Sequence, residues 1–134
     1  MTLKAADLHP GDKHAAVLVE DLSRTQIVQY AGASGDYNPL HTDELFATKA
    51  AGYPTVFAHG MLTMGMTGRA ITDLVGVESL TKFGGRFTSQ VWPGDDLTAK
   101  VTVESVEDGV VNFTVSTVNQ DGTEVFSGYA AAKA

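Results

Sequence analysis

An aspartate and a histidine lie five positions apart in a segment whose sequence favours a turn. Asp36 and His41 flank Asn38 and Pro39. Because Pro39 fixes its own φ angle and disfavours helix at Asn38, we expect a rigid turn that brings carboxylate and imidazole into one small volume. Both groups can transfer protons, and the Asn38 side chain could hold either by a hydrogen bond. The alternative is an ordinary turn, with Asp36 capping the backbone and His41 on the surface.

A second candidate group is a histidine–glycine pair at the start of a predicted helix. Gly60 follows His59 and opens an apolar segment that we predict to be helical over residues 60–75. The first turn of a helix offers unpaired N–H groups, and a glycine there lets a substrate carbonyl approach them closely. This arrangement suits a developing enolate oxygen, whereas the alternative is a glycine needed for close packing. His59 could itself be catalytic, although a partly buried histidine bonded to backbone is commoner.

The composition and the remaining histidines argue against several other classes of function. The chain has 134 residues, no cysteine and a formal net charge of −7. We therefore expect one domain over residues 1–134 that has no disulfide bonds. We also expect that it binds neither nucleic acid nor an anionic membrane surface. His9 and His14 have no partner at metal-ligand spacing, and no H-E-x-x-H motif is present, so we expect no metal. No apolar signal-peptide core is present, so a cytoplasmic location is the default expectation.

Local signals predict the helices that must position these groups. Ser23 and Gln26 form a capping box, which predicts a helix over residues 24–31, before a glycine-rich cluster. Thr42 can cap a second short helix. The helix predicted at 60–75 is apolar nearly all round, so we expect it to be buried.

Strict alternation of apolar and polar residues predicts that the second half of the chain is β-structure. Asp-Gly turn signals at residues 107–109 and 120–122 separate the strands. Gly84 and Gly85 predict a bulge or sharp bend. A strand, helices and a four-strand meander are expected, giving an α+β domain whose bent antiparallel sheet of about five strands surrounds one helix, as in the hotdog fold. The predicted strands cover residues 13–20, 78–92, 97–104, 111–116 and 123–132.

Together these residues resemble the MaoC-like hydratase family, the (R)-specific enoyl-thioester hydratases of the hotdog superfamily. The family motif is a tyrosine, then Ser-Gly-Asp-x-Asn-Pro-Leu-His, then five residues and an alanine. Here it matches Tyr30, residues 34–41 and Ala47. Residues 59–63 and 91–95 also resemble the family, and residues 59–68 are similar to the catalytic subunit of mycobacterial hydroxyacyl-carrier-protein dehydratases.

The resemblance assigns roles to individual residues. It implies that Asp36 and His41 form the catalytic dyad and that the Gly60 N–H stabilises the enolate oxygen. Some relatives hold the aspartate with a serine on the central helix, where this chain has only threonines. The residues expected to contact or support substrate are Asn38, His59, Met61 and Thr63.

The resemblance also implies the reaction and the partners. Water adds reversibly and syn across a trans-2-enoyl thioester to give a (3R)-hydroxyacyl thioester, without a cofactor and with CoA or carrier-protein pantetheine as the handle. A homodimer joined edge to edge is expected; the alternatives are a heterodimer with a hotdog partner and a non-catalytic acyl-binding subunit. The intact dyad argues against the last, and a thioesterase carboxylate would have only Asp73 on the central helix. Arg86 is an outside candidate for binding a CoA phosphate or an inner carboxylate.

Overall fold

The alternating residues of the chain form one antiparallel sheet of five strands. The computed structural model of the protein describes residues 2–133, so the two end residues of the predicted domain lie outside the described part. The sheet has the order β1-β3-β4-β5-β2, and both Asp-Gly signals form turns with positive φ angles at Asp108, Gly109 and Gly122. The strands are β1 (Lys13–Val19), β2 (Leu80–Phe87), β3 (Leu97–Glu107), β4 (Val110–Val118) and β5 (Glu124–Lys133).

Two α-helices and a short π-helical segment connect β1 to β2. They are α1 (Arg24–Ser34), the π-helical Phe46–Ala50, and α2 (Gly60–Val75). α1 begins as predicted, with the Ser23 hydroxyl accepting from the Gln26 N–H at 3.0 Å. It continues three residues beyond the predicted end and stops at Gly35, whose φ of 76° closes the helix. None of the helices within residues 2–133 is long and apolar enough to cross a membrane.

The cap of the short helical segment differs from the prediction. Asp43 accepts the Phe46 N–H at 3.1 Å through its carboxylate. The predicted cap, Thr42, belongs instead to the preceding turn, where its N–H donates to the Pro39 carbonyl at 3.3 Å. The prediction was wrong by one residue because the Pro39 turn extends further than its sequence pattern indicates.

The strand order corrects the predicted four-strand meander. β3, β4 and β5 are consecutive neighbours, but β2 pairs with β5 at the far edge. The strand predicted over 78–92 ends at Phe87 because the chain then leaves the sheet. Two backbone bonds carry it back toward the start of α1: Ala58 N–H donates to the Val91 carbonyl at 2.8 Å, and Leu22 N–H to the Asp95 carbonyl at 3.0 Å.

The paired glycines of β2 provide room for side chains rather than a bulge. Pairing with β5 continues without a shift through Gly84 and Gly85, and the one shift in this strand pair lies between Leu80 and Lys82. A Cβ on Gly84 would lie 2.5 Å from the Tyr129 hydroxyl, and one on Gly85 would collide with the Ser127 carbonyl. The predicted bulge at the glycines is therefore wrong.

Helix α2 has the predicted bounds but is buried on one face only. Its buried residues recur every four positions, the spacing of a single helical face. On the opposite side Met61 is 54% exposed, and a Cβ on Gly65 would meet open space. In the single chain the helix is half-covered by the sheet. The buried residues are Thr63, Thr67, Ile71 and Val75.

The apolar core consists of two clusters at the two ends of α2. The distal cluster joins the C-terminal end of α2 to the middle of the sheet and includes Ile71, Val75, Val103 and Phe113. The proximal cluster lies beside the N-terminal half of α2 and holds α1 against the returning loop. Its buried members are Leu22, Ile27, Ala58, Val91, Leu97 and Val125.

Candidate active site

The predicted turn after α1 is present and is held by its own backbone. The Asn38 N–H donates to Asp36 Oδ1 at 3.2 Å, and the His41 N–H donates to the Asn38 carbonyl at 3.1 Å. The Asn38 side chain accepts from the Leu40 N–H at 3.0 Å. The expectation that this side chain holds Asp36 or His41 is therefore wrong: the Asn38 N–H bonds the Asp36 carboxylate, the His41 ring is bonded elsewhere, and the Asn38 side chain stabilises the turn.

The turn brings Asp36 and His41 together at the protein surface. His41 Nε2 and Asp36 Oδ2 are 4.0 Å apart, with the histidine side chain 10% exposed and the carboxylate 52% exposed. His41 is thus not the surface residue of the alternative interpretation. A separation of 4.0 Å is too long for a direct hydrogen bond. One water molecule can bond to both atoms across such a gap.

The hydrogen bond on the far side of the His41 ring fixes its tautomer. His41 Nδ1 lies 2.7 Å from the Phe57 carbonyl oxygen. Because a carbonyl only accepts, Nδ1 must carry the proton, and the neutral ring then has its lone pair on Nε2, toward Asp36. The ring also meets the edge of Phe57, which in turn lies 5.9 Å from the half-buried ring of Trp92.

His59 contacts both members of this pair. Its ring is 2% exposed and stacks on the His41 ring, with centroids 3.8 Å apart and planes inclined by 26°. Its Nε2 donates to the Asp36 carbonyl at 3.0 Å. Burial lowers the pKa of His59 below its usual value and outweighs the hydrogen bond to the Asp36 carbonyl, which acts in the opposite direction, so the neutral ring is favoured. The geometry is that of a buried histidine bonded to backbone.

Gly60 lies directly after His59 as the first residue of α2 and lines a cavity of about 310 Å³ beside Phe57, Thr63 and Phe87. Its N–H belongs to the first turn, where no intrahelical acceptor exists. A Cβ at this position would lie 2.8 Å from the Phe87 ring. With the Phe87 ring in this position, any side chain at residue 60 would collide with it, and Gly60 presents its main chain to the cavity.

The threonines of α2 do not replace the helix serine of some relatives. Thr63 is 2% exposed, and its hydroxyl has no hydrogen-bond partner within residues 2–133. The Thr67 hydroxyl donates to the Thr63 carbonyl at 2.9 Å and lies 2.7 Å from the Thr117 hydroxyl. Thr72 donates to the Arg69 carbonyl. In the described part of the chain no α2 hydroxyl bonds Asp36.

Sequence reasoning missed a group of hydrogen-bonded polar side chains, Arg24, Glu44 and Thr55, which connects three segments around the site. Arg24, at the start of α1, donates to Glu44 at 2.6 Å and to Thr55 at 2.8 Å. Thr55 donates to the same carboxylate at 2.9 Å. These bonds from Arg24 and Thr55 hold the pKa of Glu44 below its usual range. Nothing in the local sequence links residues that are 20 and 31 positions apart.

Arg86 does not line this cavity. It is exposed on β2, next to Phe87. Since successive strand residues point to opposite faces, Arg86 lies on the outer face of the sheet while Phe87 packs on Gly60.

Asp36, His41 and His59 each offer a ligand-type atom within 4.8 Å of the others. Two imidazoles that ligate one ion direct their in-plane lone pairs at a common point. The two rings here are stacked with their planes inclined by only 26°, so lone pairs in the two planes do not meet at a nearby point. His41 Nδ1 and His59 Nε2 also both donate to carbonyls. The arrangement suits proton transfer better than metal binding, and the absence of a metal remains a prediction.

Comparisons of the sequence with known proteins identify relatives of this chain. The chain is 34% identical over 116 residues to 3-hydroxyacyl-thioester dehydratase Y of Mycobacterium tuberculosis, covering 84% of this chain and 39% of that protein. It is 43% identical over 70 residues to the enoyl-CoA hydratase ChsH3 of the same organism, covering 50% and 24%. It therefore spans well under half of either relative.

Solved structures of similar fold cover nearly the whole chain. The unliganded R-hydratase PhaJ1 from Pseudomonas aeruginosa superposes with a TM-score of 0.87 at 27% identity, covering 99% of this chain and 86% of that one. The (R)-hydratase from A. caviae involved in PHA biosynthesis gives 0.82 at 25% identity, covering 94% and 96%. The hotdog architecture is confirmed. Because the sequence model of the MaoC-like domain matches residues 7–125, this chain belongs to the MaoC-like domain family.

Proposed function

We propose that the protein adds water reversibly across trans-2-enoyl thioesters to give (3R)-hydroxyacyl thioesters of fatty-acid metabolism. The observation that carries this proposal is the 4.0 Å gap between His41 Nε2 and Asp36 Oδ2. His59 connects this pair of residues to the start of α2, because its ring bonds the Asp36 carbonyl and it directly precedes Gly60. Two proton-transfer groups and one oxyanion donor are the parts that this reaction needs.

Each part has one task in the proposed reaction. The water held between Asp36 and His41 attacks Cβ and gives its proton to one of the pair, while the other delivers a proton to Cα. The pair must therefore hold one proton between them at the start of each turnover, in either direction. The π electrons move to the thioester oxygen, where the Gly60 N–H stabilises the enolate; one such donor is typically worth about 10²–10³-fold in rate.

The substrate handle and the cofactor requirement follow from the same chemistry. Water addition transfers no electrons to or from a second molecule, so the reaction as proposed calls for no redox cofactor. The thioester is carried by CoA or by the pantetheine of an acyl-carrier protein, and the 310 Å³ cavity beside Gly60 is where we place the thioester end.

We propose a homodimer as the working form. Strands β1 and β2 are both open edges of the sheet, and an open edge is a template for pairing with a second chain. Met61 and Phe87, beside the site, are 54% and 50% exposed. A second copy of the chain can therefore cover these side chains and close the apolar side of the cavity. A partner hotdog chain of different sequence is the alternative, and the cytoplasmic location stays a prediction.

The test is hydration of crotonyl-CoA by the purified protein, followed by the loss of conjugated-thioester absorbance. We expect an (R)-alcohol as product and a rate lowered about 10²–10⁴-fold in Asp36→Asn and in His41→Ala. Asp73→Asn and His9→Ala are matched controls, since both side chains are more than 70% exposed and lie elsewhere.

The outcomes separate the alternatives. An (S)-product, or full activity in both dyad variants, would overturn the proposal. Activity only with dodecenoyl-CoA would assign a longer acyl chain, and activity only after a partner is added would assign the heterodimer. Sedimentation of the pure protein as a monomer would contradict the homodimer.

A further inference from the structure

We propose that His59 is a positioning residue, which holds the main chain of Asp36 and the ring of His41 in register through two separate contacts. This inference rests on the proposed function, because it concerns the same pair. It assigns to one buried side chain the task of keeping the two proton-transfer groups at the spacing of one water molecule.

The first contact is a hydrogen bond to the aspartate. His59 Nε2 lies 3.0 Å from the Asp36 carbonyl oxygen. Asp36 follows Gly35, the C-cap of α1, and its side chain is half-exposed, so the described chain offers that carboxylate little packing. A hydrogen bond to the Asp36 main chain therefore restrains the position from which the side chain, and with it the carboxylate, extends. The 23 residues between the bonded groups make this a tertiary restraint rather than a local turn.

The second contact is the stack on the other member of the pair. The His41 ring is held at Nδ1 by the Phe57 carbonyl, but this bond and the covalent attachment at Cβ still allow the ring plane to tilt. His59 at 3.8 Å covers one face of the ring, and the edge of Phe57 meets it from another side. The stack thus sets the plane in which the Nε2 lone pair points toward Asp36.

The surroundings of His59 suit a ring that stays neutral. The titratable groups that face it are Tyr30 of α1, at 4.9 Å edge-on, and Asp36 and His41 of the turn. Its Nδ1 is buried and has no hydrogen-bond partner within residues 2–133. A carbonyl partner makes Nε2 the protonated nitrogen, so Nδ1 carries only a lone pair. A second proton would place a charge against the His41 ring.

Two substitutions separate the two contacts. His59→Gln keeps an N–H donor at about the position of Nε2 but removes the ring, whereas His59→Phe keeps a ring and removes the donor. We expect kcat to fall about 10–100-fold in each, the usual cost of a misplaced reacting group, with KM changed less than threefold. His14→Gln is the matched control, because His14 is a half-buried histidine on β1 whose Nε2 also finds no partner among residues 2–133.

A merely structural role would lower the yield or the melting temperature and leave kcat per folded molecule unchanged, which would overturn the proposal. A KM rise that accounts for the whole loss would overturn it as well, because His59 would then bind substrate. If His59→Phe does not fold, His59→Gln and the kcat-to-KM comparison still decide.

Imidazole ¹⁵N NMR tests the geometry without any substrate. We expect His59 as the neutral Nε2–H tautomer in the wild-type protein, and a changed His41 Nδ1–H resonance in His59→Gln but not in His14→Gln. An unchanged His41 resonance would overturn the proposal. If the wild-type protein hydrates no enoyl thioester while these spectra are as expected, the proposed function fails and the positioning contacts stand.

Discussion

The two ends of α2 bury different kinds of side chain. At the C-terminal end Ile71 and Val75 pack into the distal cluster, which is entirely hydrocarbon in its buried members. At the N-terminal end the buried side chains are polar: Thr63, Thr67 and His59. Thr63 Oγ1 and His59 Nδ1 have no hydrogen-bond partner among residues 2–133, and a buried polar group without a partner costs about 1–3 kcal/mol.

The contrast places purely apolar packing at one end of α2 and the proposed catalytic groups at the other. The distal end of α2 contributes apolar burial alone, whereas its proximal end combines the proximal cluster with buried polar atoms that lower stability. Substitutions at the two ends should therefore differ in their main effect. Those at the distal end should chiefly lower the free energy of unfolding, and those at the proximal end should chiefly alter kcat. The predictions below test that separation.

The largest effect on stability is expected from Phe113→Ala in the distal cluster. Phe113 is 2% exposed, and truncating such a ring typically lowers the free energy of unfolding by about 3–5 kcal/mol. Urea denaturation measures it. We expect kcat per folded molecule to stay within twofold at a temperature where the variant remains folded. A proportionate loss of kcat would show that the two ends are coupled.

The largest effect of a small substitution near the site is expected from Gly60→Ala. The added Cβ would meet the Phe87 ring at 2.8 Å, so the helix start or the ring must shift. We expect kcat to fall about 10²-fold, the usual cost of moving one oxyanion donor. Gly65→Ala, one turn further along in open space, is the matched control, and it should gain about 0.5–1 kcal/mol of stability.

Phe87→Ala in the Gly60→Ala background sharpens that result. Removing the ring makes room for the new methyl group, so we expect the double variant to recover part of the lost kcat. No recovery would mean that the methyl group itself blocks the approach to the Gly60 N–H. A double-mutant cycle on kcat separates the two explanations.

A smaller effect distinguishes the two buried threonines. Thr67→Val removes the donor to the Thr63 carbonyl and the contact with the Thr117 hydroxyl, and should lower the free energy of unfolding by about 1–3 kcal/mol. Thr63→Val removes a hydroxyl that has no partner within residues 2–133, so we expect it to be neutral or stabilising. Equal losses in both variants would contradict the expectation that only the hydrogen-bonded hydroxyl contributes to stability.

The smallest effect is a pH dependence of stability. Burial lowers the pKa of His59 in the folded protein, whereas in the unfolded chain it returns to about 6.5. The unfolded state therefore binds the proton more tightly, and the free energy of unfolding should fall as the pH falls below about 6.5 toward the folded pKa. Thermal denaturation from pH 8 to pH 5 measures this fall, which should be smaller in His59→Gln. Equal falls in both proteins would assign it to other groups.

Sequence reasoning succeeded where the determining contacts are local. The Ser23–Gln26 capping box and the bounds of α2 depend on residues within a few positions of each other, and the turn from Asp36 to His41 follows from Pro39. The family motif at residues 34–41 and the pair at residues 59–60 are likewise patterns of neighbours, and the roles that they assign to Asp36, His41 and Gly60 stay predictions.

It failed where distant segments meet. The position of β2 beside β5 depends on backbone bonds made by the returning loop, such as Ala58 to Val91. The stack of His59 on His41 joins residues 18 positions apart, and Phe87 reaches Gly60 from another strand. No local rule encodes such contacts, because they form only when the sheet has closed around the helix.

Trp92 is the single tryptophan of the chain, and it lies one ring away from His41, through Phe57. Its indole emission is therefore an intrinsic optical reporter that needs no label and has no background from a second tryptophan. Stopped-flow fluorescence can then resolve the arrival of an acyl chain from the departure of product, in the native sequence and in every variant above.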